Sequence, residues 1–144
     1  MNFKIETGSE VFHNIAKHTP AELRRGILRF VTAAEGFALD YVPDATGNLR
    51  ASLTSGLEGD DAGFLKATAP YAVFVHEGTG RYGPKGEDIV ITPTVKKALF
   101  WEGAEHPVKK TVVKGMKPRP FFRQAIVEAE RRLDPLKLFG ETLI

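Results

Sequence analysis

The sequence predicts an α+β fold: one long N-terminal helix and a C-terminal helix packed on a mainly antiparallel sheet, with an extended loop or hairpin arm. Three observations carry this expectation. An apolar stripe of helical period runs from Thr19 to Val42, alternating segments follow from Ser52 onward, and a second helical stripe opens at Pro120. Helix, then strands, then helix is the order of an α+β chain rather than the strict alternation of an α/β one.

Residues 2–6 alternate apolar and polar, as a short edge strand does. Ser9 can cap a helix of about two turns over residues 9–17, with Phe12, Ile15 and Ala16 on one face. Thr19-Pro20-Ala21-Glu22 spells a capping box with proline at the first helical position. Leu23, Ile27, Val31, Ala34, Ala38 and Tyr41 then recur every three or four residues, and Leu28, Phe30 and Phe37 widen the stripe. Pro43 disfavours helical geometry at Val42 and ends the helix there. Gly26 and Gly36 are each worth ~1 kcal/mol less than alanine inside a helix, which suggests close backbone approach at both.

Beyond Pro43 the period changes. Residues 44–48 are a turn cluster, and residues 52–58 and 63–68 read as a hairpin around Gly59-Asp60-Asp61. Tyr71–Val75 suits either a buried strand or a short helix, because periodicity alone does not separate the two. Residues 78–86 form a loop. Residues 89–92, 98–101 and 108–114 are strand-like, the last two flanking a turn at 103–107. In the final helix Phe121, Phe122, Ala125, Ile126, Ala129 and Leu133 keep the helical spacing, Pro135 closes it, and residues 136–144 read as a flexible tail.

The 144 residues make one ordinary domain, 1–144, and with 42% hydrophobic residues the chain can bury a core. The absence of cysteine excludes disulfide scaffolds, thiolate metal sites and thiol nucleophiles. No apolar run approaches the ~18–20 residues of a membrane span. The first residues lack the basic flank and apolar stretch of a signal peptide, so a soluble, intracellularly made protein is expected. The net charge of +2 is uneven, with eight basic residues between Lys96 and Arg123 opposed only by Glu102 and Glu105. Such a run is ordinarily a solvated face, but it can also attract phosphates.

The chemistry-bearing motifs are weak. Gly78-Thr79-Gly80-Arg81-Tyr82-Gly83 spells G-x-G-x-x-G, yet Pro84-Lys85-Gly86 follows where a dinucleotide site needs a helix. The four histidines, His13, His18, His76 and His106, lack zinc-site spacing. His76-Glu77 is the sole acid–base pair, and nothing marks Ser52, Ser55 or Thr79 as its nucleophile. The acidic turns at 58–61 and 86–88 lack the ligand pattern of a calcium loop. No cofactor, no metal and no catalysis is the expectation.

Three segments in order are more informative: Thr46-Gly47-Asn48-Leu49-Arg50-Ala51-Ser52-Leu53, Tyr71-Ala72-Val73-Phe74-Val75-His76-Glu77-Gly78-Thr79, and Lys117-Pro118-Arg119-Pro120-Phe121-Phe122-Arg123-Gln124-Ala125. Together they resemble the tail-completion, or head–tail joining, minor tail proteins of long-tailed bacteriophages, over residues 19 to 130. The departure is His76-Glu77, where many relatives carry a carboxylate and then an aromatic before Gly-Thr.

The resemblance implies a non-enzymatic virion protein at the head–tail junction, made in the host cytoplasm and not in a membrane. It also favours a helix over Tyr71–Val75. Its implied partners are copies of itself in a ring, sixfold by analogy, and tail-terminator, tail-tube or head-connector proteins. On that reading Gly47 turns the chain at positive φ and Leu49 and Leu53 face the core. The implied interface residues are Asn48, Arg50, Glu77, Gly78, Thr79, Arg81, Tyr82, Arg119 and Phe122, with the 78–88 loop and the 98–115 hairpin as reaching arms. Phe122 is placed there because adjacent helical residues point about 100° apart, so one of the two rings can face a partner, the alternative being that both are core. Lys109, Lys110, Lys114 and Lys117 would line a channel and touch packaged DNA transiently, without reading bases. The alternative from composition is a small basic nucleic-acid-binding module.

Overall fold

The computed structural model describes residues 19–43, 47–133 and 138, together with the backbone of residues 2–5. The expected helix at 9–17, the turn residues 44–46, the stop at Pro135 and the tail other than Leu138 lie outside the described residues. The elements in order are β1 (Asn2–Ile5), α1 (Pro20–Tyr41), α2 (Asn48–Ala51), β2 (Leu53–Glu58), β3 (Ala62–Ala67), α3 (Ala72–Glu77), a 3-10 turn (Gly80–Tyr82), β4 (Ile89–Ile91), β5 (Thr111–Val113) and α4 (Phe121–Arg132). The fold is α+β. Among the described residues no helix is long and apolar enough to cross a membrane.

The chain packs as two compact units, one of residues 1–72 with 120–144 and one of Val73–Arg119. The first holds the sheet β1-β3-β2, antiparallel throughout, with Phe3 opposite Leu65 and Leu53 opposite Ala67. Helix α1 packs on α4 and on strands β2 and β3. It starts as its capping box dictates: the Thr19 amide donates to Glu22 Oε2 at 2.8 Å and the Glu22 amide to Thr19 Oγ1 at 3.3 Å. It ends at Val42, whose extended backbone precedes Pro43.

The buried stripe is Gly26, Ile27, Val31, Ala34 and Ala38. Tyr41 and Leu28, assigned to the apolar face, are exposed instead, because the stripe is narrower than the run of apolar residues. Gly36 does not mark close approach either, since a methyl group there would meet nothing. The close approach is at Gly63 on β3, where an added Cβ would lie 2.5 Å from Val31 Cγ1 and 2.9 Å from Ile27 Cγ2. The missing side chain lets α1 settle onto the sheet.

Gly47 adopts φ 73° and turns the chain as expected, and Leu49 and Leu53 are buried. The segment after it is one helical turn, α2, in place of an open turn. Phe121 and Phe122 are both fully buried, their ring centroids 4.7 Å apart and tilted by 59°. Leu138, placed by the sequence in the flexible tail, is buried against Leu23, Phe30 and Leu133.

In the second unit β4 pairs antiparallel with β5, Ile89 opposite Val113 and Ile91 opposite Thr111. The expected strands at 98–101 and 108–114 are mostly not formed. Leu99 and Val108 make an isolated bridge, with amide-to-carbonyl distances of 2.7 and 3.0 Å, and only Thr111–Val113 is a strand. The Ala104 amide donates to Trp101 O at 3.0 Å and closes a tight tip immediately beyond.

Candidate functional site

Helix α3, formed as expected for Tyr71–Val75 and reaching Glu77, feeds the Gly78–Gly83 loop, which is clasped to residues 114–116. The Thr79 amide donates to Met116 O at 2.9 Å and the Arg81 amide to Lys114 O at 2.8 Å. The Met116 amide returns a bond to Thr79 Oγ1 at 2.9 Å, so a side chain continues the ladder that the backbone began. The two segments approach so closely that only glycine fits. Gly78 sits at φ 79°, and a Cβ there would lie 2.8 Å from Met116 O; Gly115 sits at φ 90°, and its Cβ would lie 2.2 Å from Thr79 O. The G-x-G-x-x-G spelling is therefore a backbone clasp. The Arg119 amide adds a bond to Val75 O at 2.9 Å.

Around this clasp lies a cleft of about 560 Å³ within the second unit, walled by Val73, Phe74, Pro84 and Ile89 and rimmed by charge. Glu77, Glu87 and Asp88 stand on the rim with Lys85. Arg81 holds Asp88 through two bonds of 2.7 Å. The hydrogen bond from Arg81 holds the Asp88 carboxyl below its ordinary value, and the bond to Asp88 raises the Arg81 guanidinium. Lys117 Nζ lies 5.8 Å from the Tyr82 ring centroid, a cation–π distance. The cleft is mainly apolar, and its charged groups are three carboxylates and one ammonium.

The sequence-predicted residues divide between the units. Glu77, Gly78 and Thr79 line the cleft, and Arg81 and Tyr82 belong to the loop beside it. Asn48 and Arg50 are exposed on α2 in the first unit, and Arg119 is exposed in the second. Lys109, Lys110, Lys114 and Lys117 are all exposed. One assignment is corrected. Phe122 is 0% exposed and is a core residue, because helix α4 turns both rings inward. Gly78 is buried and serves the clasp while also lining the cleft.

The groups considered for catalysis are occupied locally. His76 is buried, and its Nδ1 lies 2.8 Å from Glu77 Oε1. Ser52 Oγ donates to Leu49 O at 2.7 Å, Ser55 Oγ donates to Glu35 Oε2 at 2.5 Å, and Thr79 Oγ1 serves the clasp. Among the described residues no group of three or more His, Asp or Glu side chains is placed to hold a metal ion.

Sequence reasoning missed the apolar surface of the second unit. Phe100 is 68% exposed, Trp101 48% and Val95 94%, and Ile89, Val90, Ile91, Val112 and Val113 are all exposed as well. The signal was present: Ile89-Val90-Ile91 is apolar on both faces of a strand, and residues 83–118 hold no helix to cover either face.

No family model, no curated protein and no solved structure matches the chain.

Proposed function

We propose that the chain is a bacteriophage virion structural protein, a tail-completion or head–tail joining component that acts in a homo-oligomeric ring through which DNA passes. Its role is one of shape, with no reaction catalysed. The observation that carries this reading is the second unit, which presents a large apolar surface on extended chain while the first unit already buries its own core. Most of the exposed large hydrophobics among the described residues lie on this unit, and partner contact is the ordinary reason for an exposed apolar patch. The three ordered sequence segments support the same reading, since Gly47, the Gly78–Thr79 turn and Pro118–Phe122 each fix a bend or an element start.

Copies in a ring meet through heterologous surfaces, one patch against a different patch on the next copy. The lysines 109, 110, 114 and 117 would then meet the phosphates of passing DNA without base contacts. The test is disruption of the gene in the phage genome that carries it, followed by electron microscopy of the products. Separate full heads and tails, rejoined when the protein is supplied from a plasmid, are expected; joined infectious particles in its absence would overturn the reading.

The second reading, a small basic nucleic-acid-binding module, is favoured by the four exposed lysines alone. It requires duplex binding by the monomer, with log K falling against log salt by roughly 0.9 per phosphate contacted. The ring reading expects little affinity for free duplex at ~0.15 M salt.

A further inference from the structure

We infer that residues 84–113 are an arm that opens from the clasp in the free chain while the first unit stays folded, and that the Arg81–Asp88 ion pair is its latch. The inference goes beyond the ring reading and does not depend on it. From Thr79 to Arg119 no residue is buried, although the segment carries two paired strands and the Leu99–Val108 bridge. Fixing a backbone costs conformational entropy, and buried apolar area is what ordinarily offsets it. Two strands of three residues each are marginal without a layer to pack on. That layer is missing here. Val73 and Phe74 of α3 and Ile89 of β4 line the same open cleft, and all three stay exposed. Charge loosens the far end as well. The register of Leu99 with Val108, carried two residues toward the clasp, would set Lys97 opposite Lys110, and like charges face to face weaken a ribbon.

The clasp is built differently, and this fixes where the arm begins. Gly78, Gly80 and Gly115 bring backbone against backbone, and the Thr79 and Arg81 amides are bonded to Met116 and Lys114. The Arg119 amide ties the same segment to Val75 of α3, which is buried together with His76. Arg81 links clasp to ribbon. Its Nε and Nη2 each donate to an Asp88 oxygen at 2.7 Å, one residue before β4 begins. Lys114, one residue after β5 ends, lies near enough to act on the same carboxylate. Two cations around one carboxylate therefore hold both strands at their base. The Arg81 side chain is 53% exposed and that of Asp88 28%, so salt weakens this latch without touching the glycine contacts.

Native-state hydrogen exchange of the intact chain, read residue by residue, tests the arm, the hinge and the latch separately. The amides of Ile89–Ile91 and Thr111–Val113 are expected to be at least about a hundredfold less protected than the Leu65 amide in the central strand β3, with Thr79, Arg81 and Arg119 in between. Asp88→Asn keeps the shape and removes the charge. It should lower protection of the ribbon about two- to fivefold further and leave Thr79, Arg119 and Leu65 unchanged. Raising salt from about 0.05 M to about 0.5 M should do the same to the wild type and nothing to the variant. Ribbon amides as protected as Leu65 would overturn the arm. Ribbon and clasp amides that exchange together would overturn the hinge, and ribbon exchange unmoved by Asp88→Asn and by salt would overturn the latch.

Discussion

Thr79 and Gly115 show how few atoms hold the second unit together. Gly115→Ala places a Cβ 2.2 Å from Thr79 O at a φ of 90°. The expected effect is a loss of about 2 kcal/mol or more, because the obstacle is backbone that has nowhere to retreat. Faster hydrogen exchange at the Thr79, Arg81 and Met116 amides would report it; unchanged exchange would contradict the clasp. Thr79→Val keeps the shape and removes the acceptor of the Met116 amide. Since water can replace that acceptor at the surface, the expected loss is only about 1 kcal/mol in urea unfolding. Gly47 was readable from sequence at this scale, because its role is local and set by one backbone angle. Gly78 and Gly115 were not, because their need for glycine comes from a segment more than thirty residues away. The same distance effect hid Gly63, whose partners Val31 and Ile27 lie on another element.

The two long helices behave as their sequences imply, and strands less so. The capping box of α1 is visible in four consecutive residues, and Thr19→Ala is expected to lower stability by about 1 kcal/mol. Phe122→Ala removes a fully buried ring and is expected to lose about 3–5 kcal/mol, so equilibrium unfolding should separate the two by several-fold. Near-equal effects would mean that Phe122 is not in the core.

The end of α4 adds a pH dependence. Hydrogen bonds from Arg131, and then from Arg132, bring the Glu128 carboxyl down from 4.5 to about 2. A depressed carboxyl stabilises the fold above its unfolded value and stops doing so as pH falls through the folded one. The melting-temperature gap between wild type and Glu128→Gln should therefore be fully present above about pH 5 and close by about pH 2. A gap independent of pH would refute the assignment.

The strand expected at 98–101 failed for a physical reason. Apolar and aromatic residues favour strands through the surfaces they pack on, and Phe100 and Trp101 stay largely exposed, at 68% and 48%.

At the scale of the whole molecule, burial and exposure are divided between the units. The first unit encloses Val31, Leu65, Phe121 and Phe122 completely. The second leaves β4, β5 and the tip in solvent, although their composition is that of a core. Sequence conveyed the α+β order because helical and alternating periods are local properties. It did not convey which apolar residues would stay uncovered, since that depends on the absence of any element to lie over them. The candidate site was accordingly half legible: Glu77, Thr79, Arg81 and Tyr82 were named from motifs, whereas Phe74, Pro84, Ile89 and Trp101 emerge only from their arrangement.

On the proposed reading the uncovered ribbon gains its core from neighbouring copies in a particle. A part that acts by filling space must remain in the finished object, in a fixed number. Quantitative mass spectrometry of purified virions, with portal protein as the internal count, addresses this directly. The account predicts a constant small number of copies per particle, equal to one ring. Infectious virions containing none, or a number that varies freely between preparations, would contradict it.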